Sequence, residues 1–150
     1  MRLGPPDLAI MRALNALFAE AFADPETYCG APPDDAWLTD LLLKPHIVVL
    51  AALEDGAVRG GLVAYELEKF ERRRREIYIY DLAVAETHRR RGIATALIGR
   101  LGEIAVERGA WAVFVQADHG DDAAIALYAK LGHREDVLHF DIMPPASPPR

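Results

Sequence analysis

The sequence predicts an α/β (α+β) fold, a mixed sheet covered by helices. Helical apolar spacing opens the chain, and short runs of branched residues then alternate with stretches of helical periodicity. The order reads helices, two hairpin strands, then strand, helix, strand, helix, strand.

The first helix spans Pro6 to Phe22, where Leu8, Met11, Leu14, Phe18 and Phe22 recur at spacings of three and four and form one apolar stripe. Asp24 to Pro33, with Pro25, Gly30, Pro32 and Pro33, reads as a loop. A second helix follows, capped by Asp34 or Asp35 and turning Trp37, Leu41 and Leu42 inward. Ile47 to Leu53 and Val58 to Leu67 are strands of a hairpin around Glu54, Asp55 and Gly56. Lys69 to Arg75 is a charged connection, and Glu76 to Val84 is a strand whose alternation breaks near Asp81, as at a β-bulge. Ile93, Leu97, Ile98, Leu101, Ile104 and Ala105 keep helical spacing up to Gly109, a C-terminal stop. Trp111 to Ala117 reads as a buried strand, Asp121 to Leu131 as a helix ended by Gly132, and Val137 to Ile142 as a final strand. A Pro-rich tail over 143–150 is expected to fray. No repeat or linker divides the 150 residues, so a single domain is expected.

Composition narrows the function. The net charge of −6 argues against a general nucleic-acid binder, which needs clustered surplus positive charge. No run approaches the ~18 apolar residues of a membrane span, and the start lacks the apolar stretch of a signal peptide. No membrane partner and a cytoplasmic location are therefore expected. The single cysteine, Cys29, cannot close an internal disulfide and has no histidine beside it in a catalytic motif. His88, His119, His133 and His139 are not at metal-ligand spacing with any cysteine pair, so no metal is expected. Charge is uneven: arginines gather at Arg72 to Arg75 and Arg89 to Arg91, carboxylates at Asp34, Asp35, Asp118, Asp121, Asp122, Glu135, Asp136 and Asp141. Such asymmetry suits two ligands of opposite charge.

The informative junction is the strand ending at Val84, a short turn, and Arg89, Arg90, Arg91, Gly92, Ile93, Ala94 and Thr95 opening a long helix. Free N–H groups and a partial positive charge at a helix start, a glycine permitting close approach, and adjacent guanidiniums together make a phosphate cradle. Three arginines would otherwise oppose the helix dipole.

At this junction the chain resembles the GNAT acetyltransferases, whose signature Arg/Gln-x-x-Gly-x-Gly/Ala is matched by Arg89, Gly92 and Ala94 after Leu82-Ala83-Val84. About 40 residues on, Tyr128, Lys130, Leu131 and Gly132 resemble the same family's last helix. The stretches EIYIYDLAVAETHRRRGIATALI and FVQADHGDDAAIALYAKLG and the ending HFDI are similar to the aminoglycoside 3-N-acetyltransferases of this type, a likeness running from Leu3 to Ile142. It implies a mostly antiparallel mixed sheet flanked by helices, with a splay between the fourth and fifth strands, counting a first strand reduced to a few residues around Arg2 and Leu3. It also implies acetyl-CoA as co-substrate, its pantetheine arm on the backbone of Leu82, Ala83 and Val84 and its pyrophosphate on Arg89 to Thr95.

Acetyl transfer to an amine needs a neutral nitrogen, a place for the oxyanion and a proton for the departing thiolate. Asp81, at the break in alternation, is the candidate base or amine-orienting carboxylate, acting by charge or through water if its pKa is ordinary. Tyr128 resembles the family tyrosine that can hydrogen-bond or protonate the CoA sulfur. Tyr80 is left without a role. Asp81, Asp118, Asp121, Asp122 and Glu135 supply the density of carboxylate that a polycationic aminoglycoside needs, with Asp121 or Asp122 also capping the last helix. The resemblance implies acetylation at the 3-amino group of the aminoglycoside; direct transfer in a ternary complex and a homodimer are expected. Polyamines or protein lysines as acceptors, or a non-catalytic acyl-CoA sensor, are the alternatives.

Overall fold

A computed structural model describes residues 1–145, and its contacts gather into two units, Met1–Gln116 and a second beginning at Ala117. The expected frayed tail falls largely on 146–150, outside the described residues.

In the first unit, a short 3-10 turn leads into helices α1 (Leu8–Ala21), α2 (Pro25–Cys29) and α3 (Asp35–Leu43). Strands β1 (Ile47–Glu54), β2 (Ala57–Lys69) and β3 (Arg74–Val84) follow, then helix α4 (Ile93–Arg108) and strand β4 (Ala110–Val115). The sheet runs β1-β2-β3-β4, antiparallel except for the parallel β3–β4 pair. The expected mixed, mostly antiparallel sheet is thus present. The reduced first strand is a single bridge from Arg2 to Leu50, with the Leu3 N–H donating to the Val49 carbonyl at 2.9 Å.

Two apolar layers hold the sheet. Met11, Leu14, Leu17 and Phe18 of α1 and Leu38 of α3 pack on one face with Val49, Ala51 and Val63. Leu97, Leu101 and Ile104 of α4 pack on the other with Val48, Leu50, Leu62, Ile77 and Ile79. Each such leucine, isoleucine or phenylalanine stabilises the fold by roughly 1.5–3 kcal/mol on burial. Turn chemistry sets the register: Asp55 and Gly56 both have positive φ, the two-residue loop that matches the twist of a hairpin. Asp34 caps α3 by accepting from the Trp37 N–H, and Gly109 ends α4 in the left-handed conformation.

Among the described residues, one charged side chain lies inside. Glu66 of β2 is buried, and its carboxylate receives the Arg108 guanidinium at 2.7 and 2.9 Å and Arg75 at 3.0 Å. Arg108, foremost, holds the Glu66 carboxyl below the usual range. A carboxylate taken from water persists only when paired this fully.

Four expectations are corrected. Asp24 to Pro33 is not all loop, because Asp24 accepts from the Thr27 N–H and Pro25 opens α2 at its first position. Trp37 is 65% exposed, and Leu38 takes the inward position, since the cap at Asp34 sets the phase of α3. The strand after α4 is not buried: Trp111 is 62% exposed, held against the Arg74 guanidinium at 3.9 Å and donating to Glu76. Val137 to Ile142 forms no strand, because apolar alternation needs a backbone ladder to become one and β4 pairs only with β3 among the described residues.

Among its described residues, the second unit holds α5 (Asp122–Leu131), followed by exposed chain that is neither helix nor strand over 133–144. Among the described residues, no helix is long and apolar enough to cross a membrane.

Gly61 sits where α1 crosses β2, and a Cβ there would lie 2.5 Å from Leu14 Cδ1 and 2.6 Å from the Leu50 carbonyl oxygen. Gly61→Ala is expected to lower stability by about 1–3 kcal/mol through overpacking, measured by urea unfolding. A loss under about 0.5 kcal/mol would mean that α1 can lift from the sheet at little cost.

Candidate active site

β3 pairs with β2 residue by residue except at one point. Ala64 faces Ile79 and Val63 faces Asp81, which leaves Tyr80 as an extra residue, the bulge that the broken alternation predicts. Ile77 and Ile79 point into the layer under α4, and strict alternation would send Asp81 there too. The extra residue reverses the phase. Asp81 instead emerges on the face carrying α1 and α2, as does Ala83 two residues on.

Asp81 is half-buried, and its Oδ1 accepts a hydrogen bond from the Tyr28 hydroxyl at 2.7 Å. Tyr28, on α2, packs its ring against Phe18 of α1 and Phe22 at that helix's C-cap, with centroids 5.8 and 5.6 Å away. Tyr80 is 63% exposed and stands edge-on to Tyr65 and Tyr78. Tyr78 stacks on Phe114 at 4.8 Å and donates to Gln116 at 2.9 Å. Among the described residues no cation pairs with Asp81. Burial raises its pKa above the ordinary aspartate value, and the Tyr28 hydrogen bond opposes that rise. Burial first, then the bond to Asp81, lifts the Tyr28 phenol well above its ordinary value, so it remains a donor. Tyr65 and Tyr78 are raised by burial, and further by Asp81 and Tyr80.

Beside this carboxylate the sheet opens. Pairing of β3 with β4 ends at Ile79 and Val115, while β3 runs on alone on that side to Val84. These are the fourth and fifth strands when the Arg2 bridge is counted first. The Ala85 N–H bonds the Arg59 carbonyl on the β2 side, so strand alternation turns the polar groups of Leu82 and Val84 to the open edge. The Val84 carbonyl there accepts from Arg89 Nε at 3.2 Å.

The chain then enters α4 through Arg90 at φ 62° and Gly92 at φ 80°. Gly92 is the N-cap and makes no side-chain cap, so the N–H groups of Ile93, Ala94 and Thr95 are left without one. Arg91 is bound to Glu54 at 2.9 Å and His88 to the same carboxylate at 2.7 Å, whereas Arg90 has no side-chain partner among the described residues. An uncapped helix start beside guanidiniums has the chemistry that suits an anion.

The remaining candidates lie in the second unit. Asp121 caps α5 by accepting from the Ala124 N–H at 3.2 Å, while Asp118, Asp122 and Glu135 are exposed. Tyr128 is half-buried, and burial and then the Asp121 charge raise its pKa. Among the described residues, no three His, Cys, Asp or Glu side chains gather as metal ligands would.

Tyr28, Tyr65, Tyr78 and Glu54 were not predicted. A signal for Tyr28 was present in Asp24-Pro25-Glu26, a cap, a first-turn proline and a first-turn acid. Glu54 gave none, since its partners are 34 and 37 residues away.

The family model described as Acetyltransferase (GNAT) family matches residues 11–133. A solved aminoglycoside acetyltransferase from an uncultured soil metagenomic sample is 57% identical with a TM-score of 0.94, the match covering 96% of each chain. A second, solved in complex with sisomicin, is 34% identical with a TM-score of 0.87, covering 96% of this chain and 94% of that one. A ribosomal-protein-alanine N-acetyltransferase from Brucella melitensis biovar Abortus 2308 is 26% identical with a TM-score of 0.74, covering 95% and 97%. No curated protein matches the chain.

Glu54 joins the first hairpin to the loop before α4, and Arg91, then His88, hold its pKa below the usual range. A depressed carboxylate pKa means that this tie is complete above the ordinary glutamate range and is lost as pH falls through the lowered value. NMR titration should therefore place the Glu54 midpoint below an ordinary glutamate, and Arg91→Ala should move it back up. An ordinary midpoint in the unmodified protein would show that the contact is not kept in solution.

Proposed function

Because the chain belongs to the acetyltransferase (GNAT) family, we propose that it carries acetyl from acetyl-CoA to an aminoglycoside, at the 3-amino group, by direct transfer in a ternary complex. The observation that carries this is the pairing, on one strand, of a half-buried Asp81 without a cation and an open backbone edge at Leu82 and Val84. The aminoglycoside acetyltransferases at 57% and 34% identity support the acceptor class.

The chain's residues fit acetyl-CoA. Leu82 and Val84 offer strand-like hydrogen bonds to the amides of the pantetheine arm, with Ala83 packed between them. The first-turn N–H groups of α4 and the guanidiniums of Arg89, Arg90 and Arg91 receive the pyrophosphate, Gly92 letting the backbone approach. The amine nitrogen then attacks the thioester carbon, an N–C bond forms and the C–S bond breaks. Asp81, whose raised pKa makes it a better acceptor than an ordinary aspartate, takes the amine proton directly or through water. A Leu82 or Val84 N–H steadies the oxyanion. Tyr128, kept protonated by its raised pKa, gives the departing thiolate its proton. Asp118, Asp121, Asp122 and Glu135 attract the other ammonium groups of the acceptor. A homodimer belongs to the same proposal, since Phe140 and Ile142 are 76% and 90% exposed.

Asp81→Asn is expected to lower turnover by about 10²–10⁴-fold with acetyl-CoA affinity unchanged, followed by CoA release and calorimetry. Unchanged turnover removes Asp81 from the chemistry. NMR of the product is expected to show acetyl on the 3-amino nitrogen. Faster turnover of spermidine or a lysine peptide would replace the acceptor, and acetyl-CoA binding with no turnover of any amine would replace catalysis with sensing.

A further inference from the structure

We infer that Tyr28 is a positioning residue of the acceptor site, holding one oxygen of Asp81 so that the other is the one presented to the amine. The inference builds on the role proposed above for Asp81. A carboxylate has two equivalent oxygens and rotates about its bond to Cβ, so a base that must meet a nitrogen in one direction needs one oxygen fixed. Tyr28 fixes Oδ1 at 2.7 Å. Its own place is fixed from the far side, because the ring lies against Phe18 and Phe22 and the helix that carries it is capped by Asp24.

The same contact selects the charge state of Asp81. The titratable groups around it are Tyr28 from α2, Tyr65 from β2, and Tyr78 and Tyr80 from β3, with the Asp24 charge reaching Tyr28 from the cap of α2. None of these groups is a cation, so none attracts the Asp81 charge as a cation would. Among the described residues, the Tyr28 hydroxyl gives the one side-chain hydrogen bond that favours the ionised form against burial. Its loss raises the pKa of Asp81 further and leaves the carboxylate free to turn.

Tyr28→Phe tests this, since the phenyl ring keeps its place against Phe18 and Phe22 and only the hydroxyl goes. Two readouts are taken: the Asp81 carboxyl carbon titrated by NMR, and kcat against the KM for acetyl-CoA. The midpoint is expected to move up by about one pH unit, and kcat to fall about tenfold with that KM unchanged. An unmoved midpoint overturns the inference whatever the rate does. A fall confined to stability, seen as a lower Tm with midpoint and kcat preserved, also overturns it and leaves Tyr28 a packing residue. If the midpoint moves but Asp81→Asn turns over like the unmodified enzyme, the function assigned to Asp81 fails and the positioning role falls with it.

Discussion

One extra residue in β3 governs everything that makes this molecule more than a covered sheet. Tyr80 has no partner on β2, and from that point the strand is rotated by half a period. Without it, Asp81 would enter the apolar layer beneath α4, among Ile77, Ile79 and Leu101, where an unpaired carboxylate would cost several kcal/mol. With it, the carboxylate meets Tyr28 and a half-wet surface. The β3–β4 ladder stops one residue earlier, at Ile79. One side of β3 loses register where the other loses its partner, so a charged group and free backbone polar groups come out side by side.

Such incomplete pairing is tolerated because the rest of the first unit is tightly held. Both faces of the sheet carry apolar layers, Gly61 leaves no space between α1 and β2, and Glu66 ties β2 to the end of α4 through Arg108. The far end of α4 is tied to the first hairpin by Arg91 and Glu54. Asp81 and the first turn of α4, the groups of the proposed site, therefore stand on elements that cannot easily shift, which is the condition for preorganised chemistry.

What could be read in the sequence depended on the range of the interaction. The α1 stripe, the Asp34 cap, the Asp55-Gly56 turn and the left-handed stop at Gly109 are decided within a few residues, and each was legible. The bulge was legible too, since it shows as a break in alternation along one strand. The partners of Asp81 were not, because Tyr28 lies 53 residues away and its short helix was hidden among prolines and glycines read as loop. Trp37 and Trp111 misled for another reason: large rings are usually counted as core, yet Trp111 spends its surface on a guanidinium at the sheet's edge. Val137 to Ile142 has the right alternation, but strand formation is decided by a neighbour, which no pattern within the segment reports.

In the role proposed for it, Asp81 has to balance two needs that pull apart. A carboxylate that accepts a proton from an ammonium must be more basic than it is in water, and burial supplies that by penalising the charge. A carboxylate that draws a cation must nonetheless be charged when the cation arrives. Burial alone would satisfy the first need and defeat the second. A paired arginine would do the reverse, holding the charge but leaving neither basicity nor attraction for an amine. A neutral phenol is the intermediate solution: it favours the ionised form by a single hydrogen bond, brings no positive charge to repel the acceptor, and occupies one oxygen only. Tyr65 and Tyr78 extend that logic, since both stand close enough to feel the Asp81 charge and neither is a cation that would neutralise it.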